Sequence, residues 1–237
     1  MKQALAILVL IPAAIAAQDT THFAVFHGDL GYVATSGNTQ VSTINFADQL
    51  TLRTSPVNRI DQAFTVVYGQ NKNVVQTNIW TAGVRDQYSF TKTVGLYALA
   101  GFARNTFAGI DYDFQEGGGF AFTPILPKRH SLELDAGFAY TEQKLLPDSM
   151  DQHADARGAI TYKFAFAKDA YFQQFVEGLP DLKREEDFRI NSETDLVAPL
   201  SKHFAIKIGY AIHYANLPPP GFRTTDRLFT SDLQVSF

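Results

Sequence analysis

The feature that most constrains this chain is a strict two-residue alternation. Phe204, Ile206, Ile208, Tyr210, Ile212 and Tyr214 fall on one parity, and Ala205, Lys207, Gly209, Ala211 and His213 on the other. A β-strand sends successive side chains to opposite faces, so this segment has one apolar face and one small or polar face. Leu132, Leu134, Ala136, Phe138 and Tyr140 repeat the pattern, as do Gly158, Ile160, Tyr162, Phe164 and Phe166. In the last segment Phe229, Leu233, Val235 and Phe237 oppose Thr230, Asp232, Gln234 and Ser236. Helix-period patterning is almost absent after residue 18, which leaves an all-β fold. A soluble sandwich also alternates, but these segments are long. Residues 39–54 and 187–199 exceed the mode of about 5–6 residues for globular strands. Their apolar faces carry Tyr32, Tyr68, Trp80, Tyr88, Phe90, Tyr140, Tyr210 and Tyr214 near the ends, the pattern of aromatic girdles flanking a lipid band.

The N-terminus explains how such a chain reaches a membrane. Residues 1–17 read as a signal peptide: Lys2, an apolar run from Ala4 to Ile11, then Pro12 and the small residues Ala14, Ala16 and Ala17. The remaining 18–237 form one exported domain. Nothing later supplies 18 consecutive apolar residues, so entry into a bilayer requires a closed barrel. Alternating segments number about twelve when ~10 residues is taken as the unit. They run over 23–34, 39–54, 59–71, 75–90, 94–108, 110–124, 130–141, 155–166, 170–179, 187–199, 203–215 and 225–237. The even-numbered connections read as short. The longest, 143–154, 180–186 and 216–224, are all odd, as expected when both termini are periplasmic. The expectation is a transmembrane antiparallel up-and-down β-barrel in the outer membrane of a Gram-negative cell, its C-terminal strand ending at Phe237 for the barrel assembly machinery.

The opposite faces then define the interior. Arg85, Glu133, Asp135, Arg157, Lys163, Arg189, Glu193, Asp195, Lys207, His213 and Asp232 are the lumen-lining candidates. Both signs of charge are present, which predicts opposing patches or a lattice across the lumen. Such a lattice either plugs the barrel or lines a narrow channel. The i, i+2 carboxylate pairs Asp111/Asp113, Glu133/Asp135 and Glu193/Asp195 have a spacing that calcium also uses, although a wetted interior accounts for them. Asp48, Asp86 and Glu116 fall on the lipid face. That places them near a rim or after a bulge, for which Gly117-Gly118-Gly119 is the natural site. The charged stretch Lys183 to Asp187 reads as a solvated loop or a contact for lipopolysaccharide.

No catalytic motif is present. There is no Gly-x-Ser-x-Gly elbow, Walker loop or His-Glu-x-x-His. The six histidines form no metal-binding pair. With no cysteine, disulfide frameworks, thiolate metal sites and cysteine nucleophiles are excluded. A net charge of −4 without a basic cluster argues against nucleic acid. The chain reads as a non-enzyme without cofactor.

Gly31-Tyr32 followed by Thr35-Ser36-Gly37-Asn38-Thr39 resembles the opening of the YdiY-like family of salt-induced outer membrane proteins. Gly83 to Tyr88, Ala108 to Asp111 and Gly117-Gly118-Gly119 resemble its middle, and Pro218-Pro219-Pro220-Gly221 with Asp226 its final hairpin. The likeness spans about 28–237. It implies an outer-membrane barrel of the cell envelope with a role in salt or osmotic adaptation, and it brings no functional residues. The reading is a porin-like narrow pore or small-solute channel. The alternatives are a plugged structural barrel and, third, a lipid-modifying enzyme. Its partners are outer-membrane lipid and lipopolysaccharide.

Overall fold

The computed structural model describes residues 23–35, 41–72 and 74–237. The 1–17 segment and the Ser36-Gly37-Asn38 turn lie outside the described residues. The strands are β1 (Phe23–Thr35), β2 (Val41–Ser55), β3 (Asn58–Asn71), β4 (Val74–Ser89), β5 (Val94–Asn105), β6 (Ile110–Phe122), β7 (His130–Leu145), β8 (Ser149–Ala167), β9 (Ala170–Pro180), β10 (Phe188–Pro199), β11 (Phe204–Ala215) and β12 (Thr225–Ser236). Each is antiparallel to its chain neighbours, and β1 meets β12 to close the ring.

Period 2 fixes which side chains point where. Through the middle of β1 to β11 the odd-numbered residues face inward. In β12 the even-numbered ones do, as the facing pairs Lys207/Asp232 and Asp29/Gln234 require. The outer face is apolar and uncovered: Leu30, Phe120, Phe138, Ile160, Ile206 and Phe229 are all exposed. Trp80 stacks on Phe102 at 4.8 Å, and Phe102 on Tyr112 at 6.0 Å. The buried interior is mostly polar. This is the reverse of a soluble barrel, and it is stable only where the outer solvent is hydrocarbon and every backbone group is paired within the sheet.

Three expectations need correction. Residues 143–154 are not a long loop: β7 continues to Leu145 and β8 begins at Ser149. Glu142, Lys144 and Gln152 occupy the outward positions there, so hydrophobic alternation stops while the hydrogen-bond ladder continues. With 143–154 paired, and with 123–129 as long as 181–187, loop length does not sort by parity. Finally, Gly117-Gly118-Gly119 makes no bulge. Its pairing with β5 and β7 is continuous, and the shifts lie at Ala103/Asn105 and Ile110/Tyr112. Asp48, Asp86 and Glu116 are therefore outward without a phase change. Asp48 accepts from Gln62 Nε2 at 3.0 Å and Asp86 from Asn58 Nδ2 at 2.6 Å. Glu116 borders an outer notch of about 560 Å³ with Ala98, Phe138, Tyr140 and Ala154.

Candidate functional site

The lumen is organised around one row across the inner wall. Gln87 faces Tyr97, Tyr97 faces Gly119, Gly119 faces Gly137, and Gly137 faces Arg157. The two glycines leave the floor between Tyr97 and Arg157 empty of side chains. At Gly119 a Cβ would lie 2.6 Å from the Gly137 Cα and press on the Ala136 carbonyl oxygen. The strands thus approach at a distance only glycine allows. Over this floor two guanidinium groups lie against the Tyr97 ring, with Arg85 Cζ at 5.0 Å and Arg157 Cζ at 5.1 Å from its centroid. Both distances are within cation–π range.

Ion pairs radiate from this stack as a chain of alternating sign. Asp61 receives Arg59 Nε at 2.7 Å, and Arg59 Nη2 reaches Glu133 at 3.0 Å. Arg85 Nη2 lies 3.0 Å from both Glu133 and Asp135. Arg157 joins Asp135 at 3.2 Å to Glu177 at 2.7 Å. Asn191 Nδ2 then donates to Glu177 at 2.9 Å, and Asn191 Oδ1 meets His213 Nδ1 at 3.0 Å. Asp135, Arg157 and Glu177 are each 9% exposed or less. Charges so removed from water are tolerable only with partners on several sides, and here each has at least two.

Two further clusters use the remaining charges. Arg189 lies 2.7 Å from Asp155 and 3.5 Å from Asp113, and donates to Thr141 Oγ1 at 3.0 Å. Gln143 donates to Asp113. Farther along β10, Lys207 Nζ of the neighbouring β11 lies 3.3 Å from Asp29, 3.4 Å from Asp195 and 3.9 Å from Glu193. Gln234 donates to Asp29 at 2.8 Å, and Asn45 donates to Asp232. Lys163 Nζ is 3.5 Å from the centroid of the Tyr171 ring. Positive and negative groups interleave, so the lumen has a lattice and not opposing patches. The carboxylate pairs with calcium-like spacing are occupied by Arg and Lys. Among the described residues no three acids or histidines converge on a metal position.

One mouth is covered as well. The 216–224 connection between β11 and β12 stands across the ring from the 106–109 connection between β5 and β6. A Cβ at Gly109, whose φ is +79°, would lie 2.7 Å from the Phe222 ring. Phe222 therefore rests on the far rim, at the end of the stiff Pro218-Pro219-Pro220 arm. Beside it, the 181–187 stretch is tied down and not simply solvated. Arg184 contacts Asp151 at 3.0 Å, Asp181 at 2.9 Å and Asp187 at 3.0 Å. Burial alone would raise the Asp181 carboxyl. The backbone amides of Lys183 and Arg184 and the Arg184 guanidinium outweigh it and hold that carboxyl down at about 2.

Sequence reasoning passed over Arg59, Asp61, Tyr97, Asp155 and Glu177. Arg59 and Asp61 carried a signal, being opposite charges at i, i+2 on one face. Tyr97 carried none, because both faces of Val94 to Ala103 are apolar or small.

The closed ring of twelve antiparallel strands, apolar outside and ion-paired within, defines an up-and-down β-barrel of the outer-membrane type. The likeness to one solved structure agrees in fold. The translocator domain of the autotransporter NalP from Neisseria meningitidis superposes with a TM-score of 0.51 at 9% identity, over 94% of this chain and 90% of that one. The NanC porin gives 0.49 at 7% identity over 89% and 97%, and the KdgM porin 0.43 at 10% over 91% and 99%. The chain belongs to the DUF481 family of proteins of unknown function, whose model matches residues 28–237. Among curated proteins none matches the sequence.

Proposed function

We propose that this protein is an axially closed, charge-plugged barrel of the outer membrane that serves the envelope structurally. In this reading it is not an open pore. The observation that carries the proposal is the state of the lumen charges. Asp29, Asp135, Asp155, Arg157, Glu177, Asp195, Lys207 and Asp232 are all 9% exposed or less, and each is paired or hydrogen-bonded. In a water-filled channel such groups would be hydrated and screened over about 8–10 Å. The Phe222 arm over the mouth supports the same reading.

Export by the N-terminal segment and insertion through the strand ending at Phe237 complete the proposal, with lipid and lipopolysaccharide as the surrounding partners. A place in salt or osmotic adaptation follows from the family resemblance. No catalytic role is assigned. The test has two arms. The protein should fractionate with the outer membrane and run differently on SDS gels before and after boiling. Vesicles carrying it should swell in small sugars no faster than protein-free vesicles. Swelling at a porin-like rate would overturn the closed reading in favour of a narrow channel.

A further inference from the structure

The lipid-facing wall carries two polar clusters at mid-height, and they differ in what they leave unmet. One is Gln174, Ser192 and Thr194 on β9 and β10. Gln174 Nε2 donates to Ser192 Oγ at 3.0 Å and to the Glu193 carbonyl at 3.1 Å, and Thr194 Oγ1 donates to Gln174 Oε1 at 2.7 Å. That cluster is neutral and closed on itself. The other is Asp48 on β2 and Gln62 on β3, both half-buried. Gln62 Nε2 donates to Asp48 at 3.0 Å. A carboxylate has room for about four donors, and a side-chain amide carries a second N–H and a free oxygen. Most of this capacity is turned outward, away from the barrel.

Asp48 and Gln62 do not sit at a rim. On β3, Gln62 lies six residues below Tyr68 and four above Asn58, which faces Tyr88 of β4. At about 3.4 Å per residue and a tilt of about 40°, these spans are about 15 and about 10 Å along the barrel axis. The pair is thus inside the apolar band of about 25 Å. The other outward acids are placed differently: Asp86 bonds Asn58 in the Tyr88 row, and Glu116 faces Tyr140, so both lie at a girdle. At the depth of Asp48 neither water nor a lipid headgroup supplies a donor, and an ionisable side chain there calls for a protein partner. Asp48 faces Phe64 and Gln62 faces Leu50 across the β2–β3 pair. The tilt of the strands brings Asp48 and Gln62 level to within about 2 Å.

We propose that the β2–β3 face is the interface of a parallel homodimer, in which Asp48 and Gln62 of two copies close a reciprocal ring of hydrogen bonds inside the bilayer. A second copy enters the membrane in the same direction and to the same depth. Turned half a revolution about the membrane normal, it sets the partner's Gln62 against Asp48 and the partner's Asp48 against Gln62, and the symmetry closes at two copies. Each amide then donates one N–H to its own carboxylate and one across the interface. Phe64 falls on the two-fold axis above the ring and Leu50 below it, so the polar centre is sealed by apolar contact. Phe46, 6.4 Å from Phe64, extends that seal. The inference rests on the membrane-barrel reading and not on whether the axial path is blocked.

The chain has no cysteine, so single engineered thiols report alone. Leu50→Cys lies on the proposed axis. Ile160→Cys, exposed on β8, lies across the ring from β2. Each variant is oxidised with copper phenanthroline in phosphatidylcholine vesicles with lipid in large excess. A standing contact raises the effective thiol concentration, so Leu50→Cys should form the disulfide dimer at least about tenfold faster than Ile160→Cys. Equal rates would mean random collision and overturn the interface. Adding Asp48→Leu and Gln62→Leu should slow Leu50→Cys to the rate of Ile160→Cys, and an unchanged rate would overturn the polar ring. These changes leave an apolar lipid face, and the gel shift on boiling verifies the fold. Should Leu50→Cys fail to fold, native mass spectrometry of the unsubstituted protein decides. It should show two copies, and the Asp48→Leu/Gln62→Leu variant one. A single copy for both would refute the dimer, as would cross-linking of Leu50→Cys in cells to a different protein with no self-disulfide in vesicles. Loss of the gel shift in the unsubstituted protein would instead refute the membrane-barrel reading itself.

Discussion

Replacing Arg157 by alanine separates a packed lumen from a wet one. The guanidinium bonds Glu177 at 2.7 Å and Asp135 at 3.2 Å and covers one face of Tyr97. Its removal leaves two carboxylates facing each other across a space that water barely reaches, since Asp135 is 9% and Glu177 8% exposed. Breaking a buried pair by deleting one partner costs about 3–5 kcal/mol. A hydrated pair would give up only about 0–1 kcal/mol. The assay is urea unfolding in lipid vesicles, followed by the emission of Trp80, the single tryptophan. Trp80 stacks on Phe102 on the outer face and enters water only when the barrel leaves the bilayer. Arg157→Lys should fall between wild type and alanine, because one ammonium lacks the fork that spans both carboxylates. Adding Glu177→Gln to Arg157→Ala should cost less than the sum of the two single changes, since the orphaned charge is then gone. A loss below about 1 kcal/mol for Arg157→Ala would refute the reasoning.

Other consequences are equally direct. Gly119→Ala should abolish the folded, heat-modifiable form, because its Cβ meets β7 backbone, whereas Gly158→Ala, with nothing within 4 Å, should change stability by no more than about 0.5 kcal/mol. Asp181, held at about 2, is depressed below its unfolded value of about 3.9. Its contribution is therefore complete above that value and is lost as pH falls towards 2. Protease protection of 181–187 should decline over that window, and Asp181→Asn should remove the dependence; an unchanged profile would contradict the clamp. A cysteine at Leu217 should react with an impermeant maleimide on intact cells and one at Lys168 should not, and the inverse pattern would reverse the orientation.

Faces were legible in the sequence because the strand period is fixed. Asp135 and Arg157 could be set inside and Phe138 and Ile160 outside without knowing any neighbour. Register was not legible, since nothing local says that Gly119 faces Gly137 or that Arg157 lies beside Glu177. The β7–β8 hairpin outruns its sequence signal for a related reason. Its outward positions Glu142, Lys144 and Gln152 are polar, so the hydrophobic signal ended before the ladder did. Tyr97 was unreadable as a lumen residue because an aromatic in an apolar strand matches the lipid face. Only the side-chain-free floor at Gly119 and Gly137 makes room for it inside. The glycine run was read as a bulge when it marks close strand approach, and both uses follow from the missing Cβ.

The central claim is that paired charges close the lumen along its axis. It is tested most directly by the conductance of the purified, folded protein in planar bilayers. Arg85, Arg157 and Tyr97 stack across the inner wall, and Lys207 and Arg189 are each held by carboxylates. The wild-type protein should therefore give no steps above the protein-free background, with insertion verified by its gel shift. Stable, ohmic single-channel steps from the wild-type protein would contradict the account.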